Sequence, residues 1–404
     1  MEKMISLIGL VFMVAVAYGL SSSRKNINWR LVIVGVLLQS VFGLIILKTD
    51  FGAAVFEGAK NFFMAILDFT NEGSRFIFGP LTDNQKMGFI FATMVLPTIV
   101  FFSSLMSVLY HLGIMQILVG FFARCMVKLM GTSGAESLAT AANIFVGQTE
   151  APLCIKPYVN KMTYSELMAL MSGGMATVAG GVMAAYVGLG IDAGHLLAAS
   201  VMSAPAALVC AKIMIPETER PQTIDTTKAP FEKTTINVID AATTGAIEGL
   251  KLALNVGAML LAFIALIAML NSILSYAGSL FSYPGLSIEL IMGYVLSPIS
   301  FLIGIPWNEA QEIGSLLGKK LVINEFVAYM DLQTKLDSLS PRSITIATYA
   351  LCGFSNFSSI AIQIGGIGTI APDRRNDLAR LGVKSLIAGT LACLMTASIA
   401  GLLV

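Results

Sequence analysis

Long apolar runs separated by short polar breaks dominate the chain. A helix crosses the hydrocarbon core with roughly 20 apolar residues, and runs of that order lie at 4–21, 31–48, 88–110, 163–190, 193–214, 250–276, 342–370 and 378–403. The pattern predicts eight transmembrane helices and an all-α integral membrane protein. Residues 53–70 and 112–130 carry Lys60, Asp68, Arg124 and Lys128 beside an apolar face, which predicts helices lying along the interface. The run at 283–300 is nearly long enough to cross. Counting it as a crossing would move the arginines near the C-terminus outward, so it too is assigned to the interface. Arg24, Lys25 and Arg30, then Lys156 and Lys161, then Arg374, Arg375 and Arg380 belong on the cytoplasmic side. Both termini are therefore expected outside. The polar stretch at 215–247, with Pro216, Glu217, Glu219, Arg220, Pro221, Lys228, Pro230, Glu232 and Lys233, predicts a cytoplasmic connector.

Two further segments, 133–157 and 306–336, are apolar yet carry polar residues at their middles. The first opens with a capping box, Ser133 and Glu136, holds Asn143, Gln148, Thr149 and Glu150, and breaks at Pro152. The second holds Asn324 and Glu325. Each reads as a re-entrant helical hairpin, because non-helical backbone at membrane depth is tolerated only where protein buries it or a cavity borders it. The halves also repeat. Glu136 precedes Glu150 by 14 positions and Glu309 precedes Glu325 by 16. A helix start follows each hairpin, at Thr163 with Glu166 and at Ser340 with Pro341. Small and polar residues then interrupt each following helix, Gly173-Gly174-Met175-Ala176-Thr177 in one and Gly353-Phe354-Ser355-Asn356-Phe357-Ser358-Ser359 in the other. One hairpin enters from each side, which makes an inverted repeat whose broken helices mark a transporter site at the midplane.

Composition agrees with a lipid environment. Apolar residues make up 56% of 404 positions and charged residues 12%, against roughly 25% charged in soluble domains. Mean hydropathy is +0.81. A net charge of +1 gives no nucleic-acid footprint. Cys125, Cys154, Cys210, Cys352 and Cys393 lie far apart without zinc-ligand spacing and read as packing residues. His111 and His195 sit at the ends of apolar segments and are given no part in the mechanism. The first apolar run has no small-residue cleavage pattern and is expected to remain a membrane helix.

An ionised carboxylate at the membrane centre costs at least about 2.5 kcal/mol. Glu150 and Glu325 thus need partners or a ligand; the plainer reading makes them helix-end caps held by backbone amides. The stretches Asn143-Ile-Phe-Val-Gly-Gln-Thr-Glu150-Ala-Pro, Asn324-Glu-Phe-Val-Ala-Tyr329 and Cys352-Gly-Phe-Ser-Asn-Phe-Ser-Ser359 resemble, in order and spacing, the signature stretches of the concentrative nucleoside transporters. The resemblance covers nearly the whole chain. It implies a sodium-coupled nucleoside importer in the inner membrane, a homotrimer in lipid, with a mobile transport domain moving by an elevator mechanism past a scaffold. Scaffold helices would be 1–110 and 250–276, the two transport repeats 111–214 and 277–404, and the linker 215–249.

Carried over to this chain, the resemblance puts Gln148, Thr149 and Glu150 on the nucleobase with Val182 and Phe354 beside it. Glu325, Asn356 and Ser359 would hold the ribose. It implies a sodium site from the side chains of Asn143 and Thr177 and the carbonyls of Val146 and Val178, all hard oxygen donors. Two other readings stay open: a two-hairpin transporter of another small polar solute, or a proton-coupled nucleoside symporter. An anionic solute would want a facing cation, and Lys156 and Lys161 lie away from the hairpin tip. A membrane enzyme using Glu150 and Glu325 as acid and base finds no motif in support: there is no HExxH or GxSxG, and the Gly314–Lys320 run falls one residue short of a phosphate loop.

Overall fold

Short polar side chains fix where the helices begin, and apolar stripes decide what they bury. The computed structural model describes residues 2–88, 90–224, 235–280, 283 and 285–404, and no strand occurs among them. The longer helices are α1 (Glu2–Gly19), α2 (Trp29–Lys48), α3 (Asp50–Phe78), α4 (Leu96–His111), α5 (Ile114–Met130), α6 (Gly134–Ala142), α7 (Tyr164–Ala176), α8 (Gly180–Gly188), α9 (Ala193–Met214), α10 (Val238–Leu280), α11 (Ile288–Leu302), α12 (Trp307–Val322), α13 (Glu325–Gln333), α14 (Pro341–Leu351), α15 (Phe357–Ile370) and α16 (Arg375–Leu403). Asn28, Thr49, Asp192 and Ser287 each accept a backbone N–H of the first turn at the starts of α2, α3, α9 and α11.

Among the described residues, seven helical stretches are long and apolar enough to cross a membrane. They correspond to seven of the eight runs expected from sequence. The eighth, 342–370, is divided between α14 and α15, which are 11 and 14 residues long. Burial separates the helices sharply: the most apolar part of the α7–α8 stretch is wholly buried and that of α9 almost so, whereas only 11% of the most apolar part of α10 is buried. The core therefore lies where α7, α9 and α14 pack against α16. On α3, Ala59, Phe63, Ile66, Thr70 and Ser74 are buried at steps of three and four, the single stripe of an amphipathic helix.

Two expectations need correction. The connector was expected to run to residue 249, but α10 begins at Val238 and is 43 residues long. Packing explains the extension. A Cβ on Gly245 would lie 2.6 Å from the Ser103 carbonyl oxygen, and one on Gly249 would lie 2.8 Å from the Val100 Cα, so α10 continues as a close glycine-lined partner of α4. Lys228, Pro230, Glu232 and Lys233 of the connector lie outside the described residues. The run at 283–300 contains α11, which packs along α12 after a 117° bend through a face of Gly293, Leu296, Ser297 and Ser300 and leaves Ile291, Tyr294 and Val295 exposed. The second limb of the first hairpin is a 3-10 turn over Ala151–Ile155 and one short helical turn at Lys156–Val159. Pro152 and Pro157, each in the first turn of its element, interrupt continuous α-helix there.

The starts of α6 and α7 are joined by a buried ionic cluster. Both capping boxes are complete, Ser133 with Glu136 and Thr163 with Glu166, and Ser133 Oγ also donates to Glu166. Lys212 Nζ, at the end of α9, lies 2.7 Å from Glu136 and 3.2 Å from Glu217 and donates to Ser165 Oγ. Backbone groups of Gly134 and Ala135 donate to Thr223, so the connector is strapped to the hairpin. The second half has a simpler tie, in which Ser340 Oγ at the start of α14 donates to Glu309 of α12 over 2.9 Å. Removing one member of a buried pair strands the other charge at about 3–5 kcal/mol. Lys212→Met should lower equilibrium unfolding stability in mixed micelles by that amount, and adding Glu136→Gln should recover more than half of the loss.

Candidate functional site

The site begins where helical hydrogen bonding stops. Helix α7 ends at Ala176 and α8 resumes at Gly180, with Thr177 and Ala179 in extended conformation between them. Helix α14 ends at Leu351 and α15 starts at Phe357. The two breaks meet: Phe354 N–H donates to the Thr177 carbonyl over 3.1 Å, and Gly180 N–H donates to the Phe145 carbonyl of the first hairpin over 3.0 Å. A Cβ on Gly353 would sit 3.0 Å from the Ala176 carbonyl oxygen and 2.6 Å from Cys393 Sγ. Glycine at 353 is therefore required by the crossing itself.

Glu325 is the first residue of α13, capped by Asn324 through Val327 N–H, where the positive end of the helix favours a carboxylate. It is 4% exposed. Tyr186 Oη donates to one carboxylate oxygen over 2.9 Å, and Asn356 Nδ2 donates to the other over 3.0 Å. Asn356 does two jobs with its two ends, since its Oδ1 accepts Ser359 N–H and caps α15. The partners that Glu325 needs are thus supplied by a tyrosine from α8, not foreseen from sequence, and by Asn356 of the second break, which sequence had placed beside it. Two of roughly four acceptor positions are filled, which leaves room for further hydroxyls. Lys320 of α12, also overlooked, is 2% exposed and donates to the Ala350 carbonyl.

Gln148 lies in the hairpin turn and donates from Nε2 to Ser359 Oγ over 3.1 Å. This bond joins a residue expected at the base to one expected at the ribose, so Ser359 pairs with Gln148 rather than with Glu325. Gln363 of α15, not foreseen from sequence, donates to Gln148 Oε1 over 3.0 Å. The available signal was a lone amide four residues beyond Ser359 on an apolar helix. Thr149 lies against α15, where a Cβ on Gly366 would meet its Cγ2 at 2.8 Å. Val182 is buried in the core of α8, and Phe354 is half-buried in the second break.

Glu150 stands apart from this chain of bonds. Its side chain is exposed in the wall of a cavity of about 340 Å³, together with Val146 and Gly147 of the hairpin turn and Ser103, Thr244 and Glu248 of α4 and α10. Cys154 and His111 also border this cavity, and His111 Nδ1 is 2.7 Å from Thr235 Oγ1.

Asn143, which follows the last residue of α6, is 1% exposed, and neither its oxygen nor its nitrogen has a hydrogen-bond partner. It faces Gly173, where a Cβ would lie 3.3 Å from Asn143 Nδ2 and 3.4 Å from Thr140 Oγ1. Thr177 Oγ1 donates to the Gly173 carbonyl over 2.9 Å, which leaves the hydroxyl lone pairs free to accept. Val146 and Val178 belong to the non-helical segments beside these two residues. An orphaned amide oxygen, a hydroxyl and carbonyls outside the helical ladder are a donor set that a hard monovalent cation fits.

A membrane-embedded helical protein with paired helix breaks around one buried polar site is a secondary transporter by architecture. Models of the Na+ dependent nucleoside transporter match its N-terminal part at residues 8–81 and its C-terminal part at 195–401, and a nucleoside-recognition gate model matches 92–193. The chain is 51% identical to the uncharacterized transporter YutK of Bacillus subtilis over the whole of both chains. It is 41% identical to the nucleoside permease NupC of Helicobacter pylori, covering 98% of that protein. It is 40% identical to sodium/nucleoside cotransporter 1 of Mus musculus, covering 64% of it. CNTnw in an inward-facing substrate-bound state matches with a TM-score of 0.95 at 46% identity, over 100% of this chain and 98% of that one. A doubly substituted form of CNTnw in an outward-facing state also matches at 0.95, with 45% identity and the same coverage. The chain belongs to the concentrative nucleoside transporter family, a family of transporters rather than enzymes. Removing a donor to a buried charged group costs about 1.5–3 kcal/mol, so Tyr186→Phe should reduce unfolding stability by that amount through Glu325, and Tyr186→Phe in a Glu325→Gln background should cost less than half as much.

Proposed function

We propose that this protein is a sodium-coupled symporter that imports nucleosides through the inner membrane by an elevator-type mechanism. The observation that carries the reading is the meeting of both hairpin turns with the second helix break, through Gln148 with Ser359 and Glu325 with Asn356, and of that break with the first through Phe354 and the Thr177 carbonyl. In this reading Gln148, Thr149 and Glu150 contact the nucleobase beside Val182 and Phe354. Amide and carboxylate groups suit the donor and acceptor edge of a base. Glu325, Asn356 and Ser359 take the ribose, with the open acceptor positions of Glu325 receiving sugar hydroxyls. A nucleoside seated there displaces the Gln148–Ser359 bond and inherits its partners.

Sodium is held by Asn143, Thr177 and the carbonyls of Val146 and Val178, and it fills the need of the partnerless Asn143 amide oxygen. One cation entering down 100 mV yields about 2.3 kcal/mol, enough for about a 50-fold nucleoside gradient. Scaffold helices α4 and α10 stay fixed while the inverted hairpin repeats carry the site past them. Three copies assemble around an axis, and the largely uncovered apolar surface of α10 suits both a neighbouring copy and lipid. With the basic loops inside and both termini outside, the cavity beside Lys156 opens toward the cytoplasm.

Uptake of labelled nucleosides into proteoliposomes should rise severalfold with an inward sodium gradient and ignore a proton gradient. Asn143→Leu should abolish the sodium response; stimulation by protons alone in the wild type would remove sodium from the mechanism. Leu153→Cys and Leu252→Cys lie on opposite walls of the cavity. Tying them with a bifunctional thiol reagent, in a chain with Cys125 and Cys154 replaced by serine, should stop transport until the tie is reduced. Full transport in a verified crosslinked sample would instead favour a mechanism without relative domain movement.

A further inference from the structure

The buried amide of Gln363 is unaccounted for by any assignment above. It is 1% exposed, and its Nε2 sits between two acceptors, the Met171 carbonyl of α7 and Gln148 Oε1, each at 3.0 Å. A backbone carbonyl only accepts, so it dictates which end of Gln363 faces it. Turning the amide over would set its oxygen against two other oxygens. The arrangement holds even though Gln363 Oε1 is left buried without a partner, which an amide free to turn would avoid. Both Nε2 hydrogens are then spent, one on Met171 and one on Gln148. Gln148 must present its oxygen to Gln363 and its nitrogen to the site, where Nε2 now donates to Ser359 Oγ. Space is reserved for this contact: a Cβ on Gly174 would fall 2.7 Å from Gln363 Nε2 and 2.8 Å from Gln148 Cβ.

We propose that Gln363 is a positioning residue that relays the polarity of the Met171 carbonyl to Gln148, so that the hairpin offers the nucleobase a hydrogen-bond donor and selects bases with an acceptor at that point. The inference rests on Gln148 as a nucleobase contact. Gln363 itself does not touch the substrate. A neutral side chain could in principle orient itself to either base edge; the buried relay removes that freedom and turns a two-faced amide into a one-way reader.

The test deletes base acceptors one at a time and asks whether the penalty passes through both glutamines. Inhibition constants against uptake of the parent nucleoside are measured in proteoliposomes for uridine with 2-thiouridine and 4-thiouridine, whose sulfurs accept poorly. The same is done for adenosine with its 1-deaza, 3-deaza and 7-deaza analogues. In the wild type one deletion should weaken binding about 5- to 10-fold, the scale of one neutral hydrogen bond. Gln148→Leu should erase that penalty, Gln363→Leu should reduce it to about twofold or less, and the double variant should match Gln148→Leu alone. If Gln363→Leu is not recovered from the membrane, Gln363→Glu replaces it. Its ionised carboxylate has no hydrogen for Gln148, whose amide turns over, and the same acceptor penalty should vanish. A full penalty in the Gln363 variant overturns the relay while leaving Gln148 on the base. A penalty that survives Gln148→Leu overturns the nucleobase reading, and the relay with it. No penalty in the wild type for any acceptor shows that Gln148 does not donate to the base, and overturns the relay directly.

Discussion

A helix that stops inside an apolar environment must find partners for the backbone groups it frees, and the central architecture follows from how two such stops are made to satisfy each other. The carbonyl of Thr177 from one break accepts the N–H of Phe354 from the other, while Gly180 N–H turns to the hairpin carbonyl of Phe145. These bonds bring the breaks within contact distance. Such an approach tolerates no side chain at Gly353, where Ala176 and Cys393 close in. Once the crossing is made, the first residues of the resumed helices, their caps and the hairpin turns converge on one small polar region.

That region uses helix ends economically. Asn356 caps α15 with its oxygen and supports Glu325 with its nitrogen. Glu325 sits at the positive end of α13 and receives Tyr186. The carboxylate is therefore held by directional donors instead of an ion pair, although Lys320 is buried on the same hairpin and bound to a backbone carbonyl. Donors of this kind can be shared with or yielded to a hydroxyl-bearing solute at modest cost, whereas breaking a buried ion pair would leave an unpaired charge. Ionic bonding is placed elsewhere, at the starts of α6 and α7, where Lys212 ties hairpin, helix and connector together.

The exterior follows a different rule. Helix α10 packs along α4 through Gly245 and Gly249, and most of its apolar surface remains uncovered within the chain. The cavity with Glu150 on one wall and Glu248 on the other lies between this pair and the first hairpin. That cavity separates the first hairpin from this pair, whereas α7, α9 and α16 pack directly on one another.

Much of this was legible in the chain alone, because bilayer thickness and helix rise fix the length of an apolar run and capping chemistry marks helix starts. Ser133, Thr163 and Ser340 announced the starts of α6, α7 and α14, and the polar residues inside apolar segments announced the breaks. The family-like stretches drew attention to Gln148, Glu325, Asn356 and Ser359, which the fold links through hydrogen bonds, and to Asn143, which it leaves without one. The length of α10 was not legible, because a helix continuing through polar sequence owes its stability to a partner, here α4, distant in sequence. Tyr186 and Gln363 were missed for the same reason. A tyrosine or glutamine on an apolar helix looks alike whether it faces lipid, packing or a site, and only the crossing of α7–α8 with α14–α15 decides that Tyr186 meets Glu325 and Gln363 meets Gln148. Sequence determined which groups had to be satisfied; tertiary structure decided by whom, since hydrogen bonds between residues more than a hundred positions apart depend on distances that local pattern does not contain.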